Sequence, residues 1–429
     1  MRRNGTGGDG RGSERLGRRF WGLLSSSALS NLADGAIKIS LPLLAVSLTD
    51  SPLLIGGLGV ALTLPWLLFA LPSGALSDRV DRRRAMIVAN TARAIALIAL
   101  AAGFIAGLDS IWLLYVVAFG LGCAETVYDT SAQAILPQLV HRDQLACANG
   151  RLHSVELTAN QFLGPPLGGA LVAAGTALAV AVPAALWLGA AGALLLIPGA
   201  FRIERSAPTR IREDIAEGLS FLWGNGVLRT LGVMVGLSNF ATNATFTVFV
   251  LYAVGPDSAL DLSGLGYSVL LATIAVGSVI GSLLAHRIER ALGRARSFAL
   301  AIPATSLLIW IPAITSSPAV IGVVFILGGA AMAVWNVISI SLRQRITPGR
   351  LLGRVNSAFR LLAWGTLPLG AAAGGIIADT LGLQAVFMIM GTLTLLLFAG
   401  LFVLTDRNID ASEKQQLDPL ASDPAPAQQ

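Results

Sequence analysis

The residues best able to do chemistry in this 429-residue chain are charges set inside apolar runs. The stretch SSALSNLADGAIKISLPLLAV, residues 26–46, carries Asp34 and Lys38 near its middle, and the run at 111–137 carries Glu125 and Asp129. A charge at the centre of a membrane-spanning helix costs roughly 2.5 to 3.5 kcal/mol on insertion scales, so it persists where it serves a path for ions or solute. Proton binding, ion pairing and contact with a polar solute are the chemistry open to such groups. Lys38 follows Asp34 by one helical turn, which reads as a gating pair or ligand contact. Asp129 follows Glu125 by one turn, and two adjacent carboxylates in a poor solvent repel each other unless they hold a proton. Glu125 with Asp129 is therefore the expected proton-carrying pair, with Asp34 beside it.

The polar residues recur every three or four positions, the spacing of one helix face. Ser27, Asn31, Asp34 and Lys38 form one stripe; Glu125, Asp129 and Gln133 a second; His153, Glu156 and Asn160 a third; Asn239, Asn243 and Thr247 a fourth. The last stripe holds amides and a hydroxyl but no acid, so ion coupling is expected in the first half of the chain. Tyr128, Phe246, Trp335 and Trp364 are candidates for aromatic surface against a ligand, with Asn31, Asn239, Asn243 and Asn336 as polar contacts. Arg93 and Arg360 lie nearer the inner ends of their runs, where long cationic side chains can snorkel outward. Anchoring is their expected task.

Composition sets the stage for these charges. The chain is 54% hydrophobic and 13% charged, where soluble proteins carry about a quarter charged residues. It reads as an integral membrane protein. Twelve apolar segments, at 20–48, 53–76, 85–107, 111–137, 151–174, 177–200, 227–254, 264–286, 297–316, 318–341, 356–379 and 384–405, can each cross the bilayer as a helix. The connections after the odd-numbered segments contain no Lys or Arg, and of 30 basic residues only Lys38, Arg93 and Arg360 lie well inside a segment. Positive residues mark the cytoplasmic side, so both termini are expected there. The net charge of +6 is thus topological and gives no nucleic-acid footprint. Cys123 and Cys147 show no metal-ligand spacing, no GxxxxGK[ST] cradle for ATP is present, and no cofactor is expected. The apolar run behind RRFWGLL is too long for a cleaved signal. An excess of Arg over Lys points to a GC-rich bacterial genome and so to the inner membrane.

The chain is an internal duplication. LSNLADGAIKISLPLLAV in the first segment matches LSNFATNATFTVFVLYAV in the seventh, Leu29 against Leu237 at an offset of 208. Gly57, Gly74 and Asn149 fall on Gly264, Gly281 and Asn356 at an offset of 207. Six segments followed by six more keep their orientation, a parallel repeat whose halves can rock about a central site. The expected organisation is a basic disordered tail at 1–17, a six-helix bundle at 18–200, a cytoplasmic linker with an amphipathic helix at 201–226, a second bundle at 227–405, and a disordered tail at 406–429. This geometry implies a solute transporter, working as a monomer in the lipid bilayer, rather than an enzyme or channel.

Two motifs give the architecture a family. GALSDRVDRRR, Gly74 to Arg84, resembles the loop motif G-x-x-x-D-R-x-G-R-[KR] of the major facilitator superfamily, departing at Asp81 where that family has Gly. The resemblance implies twelve helices in two parallel bundles, with Asp78, Arg79 and Arg82 latching the halves and Gly74 allowing close approach. The second-half counterpart, GSLLAHRIERALGRAR, has Ala285 in place of Asp78, so the latch is one-sided. FLGPPLGGALV resembles the core of the antiporter motif through Gly164, Pro165, Gly168 and Gly169. Together with ANGRLHS and SLRQRITPGRLLGRV, these pieces are similar to the enterobactin-exporter-like and drug-efflux branch. The resemblance implies proton-driven export of a small amphipathic molecule such as a drug, antibiotic or siderophore. A proton-coupled nutrient importer on the same fold is the alternative, and a non-transporting sensor or assembly protein a second. The arginine usual in the fourth segment of proton-coupled exporters is replaced by Val116, so the coupling residues must be sought elsewhere.

Overall fold

The apolar runs form helices, as a bilayer demands of any chain that must satisfy its own backbone polar groups. The structure, a computed structural model, describes residues 16–77, 80–141, 144–199, 201, 211–254, 258–348 and 351–421. In chain order the helices are α1 (Arg18–Val46), α2 (Pro52–Ser77), α3 (Arg82–Ile105), α4 (Ile111–Leu139), α5 (Leu145–Glu156), α6 (Gly164–Ala174), α7 (Thr176–Leu195) and α8 (Ile211–Gly224). They continue with α9 (Gly226–Ala253), α10 (Gly264–Leu292), α11 (Arg294–Ile314), α12 (Pro318–Ile346), α13 (Leu352–Gly365), α14 (Leu367–Leu381), α15 (Leu383–Leu395) and α16 (Asp406–Ala421). Among the described residues there is no strand.

Among the described residues eleven helical stretches are long and apolar enough to cross a membrane, with α13 and α14 forming one of them. The segment expected at 151–174 falls on a rod interrupted by a π-helical stretch, Leu157–Leu163, between α5 and α6. The cause is local. Pro165 and Pro166 have no N–H to give to the carbonyls of Gln161 and Phe162, and the N–H of Gly164 reaches back five residues to Ala159. Such bulges favour functional positions, and this one carries Asn160. Residues from 406, expected as part of a structureless tail, include the helix α16. Its Asp406 accepts from the Ala295 N–H at the start of α11, and Glu413 pairs with Arg294 at 3.0 Å.

Helices α1 to α7 pack mainly on one another, with α1 against α6 and α7, α3 against α4 and α7, and α2 against α4. In the second set α9 packs on α14 and α15, α10 on α12, α11 on α12 and α15, and α13 on α8. The sets meet chiefly where α2 lies on α14 and α6 on α10. Glycines make these contacts close. A methyl group on Gly56 would stand 2.7 Å from the Cα of Gly375, and one on Gly169 would stand 2.6 Å from the Gly264 carbonyl oxygen. The closure thus lies at the end of the molecule carrying α6 and α14. Among the described residues α4 and α12 make no extensive contact with the opposite set, which leaves room between them for a central site.

Candidate functional site

The first-half charges are built around α1, and Asp34 faces inward. Its Oδ1 accepts from Arg93 Nη1 at 3.0 Å and from Trp187 Nε1 at 3.2 Å, tying α1 to α3 and α7. Arg93 is only 1% exposed and also donates to Ser30 Oγ at 3.2 Å. Its guanidinium lies 5.4 Å from the ring centroids of both Tyr128 and Trp187. Arg93 therefore does not snorkel: a carboxylate and two aromatic rings replace the solvent it would otherwise seek. Tyr128 is equally buried, its hydroxyl 3.1 Å from Ser26 Oγ, so it offers no face to a ligand.

Lys38 faces elsewhere. Residues four apart on a helix differ by about 40° in direction and 6 Å in height, enough to send Asp34 toward α3 and α7 and Lys38 toward α4 and the π-helical stretch. Lys38 Nζ donates to Asn160 Oδ1 at 3.2 Å and lies 3.9 Å from Glu125 Oε1, with the lysine about half exposed. Asn160 in turn donates to Asn31 Oδ1 at 3.3 Å, and Asn31 donates to the Ser27 carbonyl at 2.9 Å. The expected pairing of Asp34 with Lys38 gives way to two longer-range pairs, Asp34 with Arg93 and Glu125 with Lys38. Close backbone contact makes this possible. A Cβ on Gly35 would meet the Asn160 carbonyl, one on Gly164 would meet Gly35, and one on Gly168 would meet the Ala36 carbonyl. The glycines of GPPLGG thus press α6 onto the DGA stretch of α1, while Gly169 turns to α10 of the other half. Pro165 contributes through the missing N–H that opens the π-helical stretch.

Asp129 differs from the other two acids. Among the described residues its carboxylate has no hydrogen bond or ion pair, although the charges of Glu125, Asp34, Arg93 and Glu156 act on it. One turn further along α4, Gln133 Oε1 accepts from Arg360 Nη1 at 3.3 Å, across the two halves. Arg360 stacks over Trp364 at 4.3 Å, and Trp364 meets Trp66 of α2 edge-on at 4.4 Å. Arg360, expected as an anchor, points across the molecule instead. His153 and Glu156 pair with each other at 3.4 Å.

The remaining candidates divide. Asn239 and Asn243 donate to the carbonyls of Ala363 and Leu367 at 2.7 and 2.6 Å, bracing α9 against the break between α13 and α14. Phe246 packs on Phe249 and Phe325, and Trp335 on Phe298 with centroids 4.6 Å apart. Asn336 is exposed. In the loop motif, Arg82 is buried and donates to the Ala134 carbonyl near the C-terminal end of α4 at 2.6 Å. Asp81, the departure from the family pattern, caps α3 through the Arg84 N–H and also accepts from the Phe201 N–H at 2.6 Å. Gly74 lies on α2; Asp78 and Arg79 lie outside the described residues. Among the described residues no cluster of His, Cys, Asp and Glu is disposed to hold a metal.

Residues 17–429 match the family model of transmembrane secretion effectors. The chain is similar to the multidrug efflux pump Tap of Mycolicibacterium fortuitum, 25% identical over 412 residues that make up 91% of this chain and 97% of that protein. It is similar to the enterobactin exporter EntS of Salmonella choleraesuis, 26% identical over 341 residues, 76% of this chain and 78% of the other. In fold it resembles the nucleoside transporter NupG, with a TM-score of 0.74 at 13% identity over 90% of this chain and 100% of that one. The paired apolar bundles and the polar centre between them have their explanation here: the chain belongs to the transmembrane secretion effector family of the major facilitator superfamily, and is a multi-pass membrane transporter of small molecules rather than an enzyme.

Proposed function

We propose that this transporter exports small amphipathic molecules by proton antiport, with Asp129 as the principal proton carrier and Glu125 as its partner. The observation that carries the reading is the unequal pairing of the three central acids. Asp34 has Arg93 and Glu125 has Lys38, whereas Asp129 has no partner among the described residues. A carboxylate without a counter-ion in a poorly solvated site exchanges its proton more readily than one held by a cation. Asp34 and Arg93 then serve as a fixed strut, and Lys38 as a half-exposed cation that can leave Glu125 for a polar solute.

Export is favoured by relatives whose names are those of efflux proteins, a multidrug pump and a siderophore exporter. The transporter works as a monomer in the bacterial inner membrane, with both termini and the basic loops in the cytoplasm, as the positive-inside rule requires. The two bundles, 18–200 and 227–405, rock about the central site and expose it to each side in turn. Transport of a dye and drug panel into inverted vesicles under an imposed pH gradient tests the proposal. Asp129→Asn should abolish gradient-driven uptake while solute exchange at equal pH persists. Gradient-driven transport left intact in that variant would refute it.

A further inference from the structure

Among the described residues the polar face of α9 carries Asn239, Asn243 and Thr247 and no acid, yet the second half must respond when the first half gains or loses a proton. One side chain is placed to do this. Arg360, on α13, crosses to α4 and donates to Gln133, which follows Asp129 by one helical turn on the same face. Side chains so spaced are neighbours, with Cβ atoms about 5–6 Å apart. The guanidinium therefore lies beside an acid that has no partner of its own among the described residues. Its position is set from behind by Trp364, on which it stacks, and by the edge contact of Trp364 with Trp66 of α2. A cation held by a hydrogen bond to a neutral amide, next to a carboxylate with no partner among the described residues, has an electrostatic attraction that changes with the protonation of that carboxylate.

We propose that Arg360 is a positioning residue that transmits the charge state of Asp129 to the second half of the transporter. With Asp129 ionised, the attraction adds to the Gln133 hydrogen bond and holds α13 against α4. With Asp129 protonated, only the hydrogen bond remains and the halves part more freely at that level. The other charges facing Asp129 are Glu125 on its own helix, Asp34 on α1, Arg93 on α3 and Glu156 at the end of α5. Asp34 and Arg93 neutralise each other, and Lys38 faces Glu125. Glu156 pairs with His153 and adds to the field that draws Arg360 toward α4. None of these groups bridges the two halves. This inference rests on the reading of Asp129 as the proton carrier.

The test needs no substrate. Cys123 and Cys147 are replaced by Ser, and spin labels are attached at Gln138→Cys on α4 and Arg290→Cys on α10. Distance distributions are then followed in nanodiscs from acid to alkaline pH. In the parent protein the closer population should grow as pH rises. In Arg360→Gln this pH-dependent change should fall to about a third or less, and Arg360→Lys, which keeps the charge, should restore most of it. Asp129→Asn should remove the change and make Arg360→Gln without further effect. A parent protein whose distances do not respond to pH would overturn the proton-carrier reading itself. A responsive parent with Arg360→Gln following the same curve would overturn the role of Arg360 alone. So would a constant offset at every pH, which marks a merely structural contact.

Discussion

Arg93 Nη1 stands 3.0 Å from Asp34 Oδ1, with neither side chain more than 8% exposed, and the bond joins α1 to α3 deep in the first half. Two aromatic rings flank the arginine, so the pair is enclosed on every side that water would otherwise reach. Removing one partner leaves an uncompensated buried charge, which costs about 3–5 kcal/mol. Arg93→Leu should lower the unfolding midpoint in detergent by many degrees. Asp34→Asn combined with Arg93→Leu should recover part of that loss, since both charges are then gone.

Exchanging the charges at 34 and 38 distinguishes this arrangement from a pair local to α1. A local pair would survive Asp34→Lys with Lys38→Asp. Here the exchange sets a lysine against Arg93 and an aspartate against Glu125, like charges at both places. The double variant should express poorly or lose all transport, whichever direction of flux is measured.

The acids of α4 should differ in their effects on gradient-driven flux. Asp129→Asn should remove it, by at least a hundredfold. Glu125→Gln should reduce it about tenfold and free Lys38, which would appear as an altered apparent affinity in the same vesicles.

Gly168 and Gly169 are neighbours in sequence with separate tasks. A Cβ at Gly168 would stand 2.3 Å from the Ala36 carbonyl oxygen within one half, so Gly168→Val should destabilise the first bundle by several kcal/mol. At Gly169 the added atom meets Ser268 and Gly264 across the halves. Gly169→Val should leave stability nearly unchanged and open this closed end, raising the labelling of a cysteine introduced at Leu43→Cys by a membrane-impermeant maleimide.

Much of the architecture was legible in the sequence, because a bilayer leaves the chain few choices. Apolar length marks the spans, and a duplicated pattern such as Leu29 against Leu237 marks the halves. The polar stripes were legible too, since helix periodicity alone puts Asp34 and Lys38, or Glu125 and Asp129, on neighbouring positions. The helix α16 was missed: its polar composition resembles a tail, and its contacts with Arg294 lie more than a hundred residues away.

Periodicity does not decide which charge meets which. Asp34 found Arg93 and Trp187, and Lys38 found Glu125 and Asn160, because a rotation of about 40° between them is resolved only by the neighbours that pack on each side. Arg93 and Arg360 are both arginines inside an apolar run, one caged between rings within a half and the other reaching across to Gln133. The sequence by itself determined that this chain spans a membrane as a repeated helical transporter with charges at its centre. Only the tertiary structure decided which acid is left without a counter-ion among the described residues, since that depends on the partners brought by other helices.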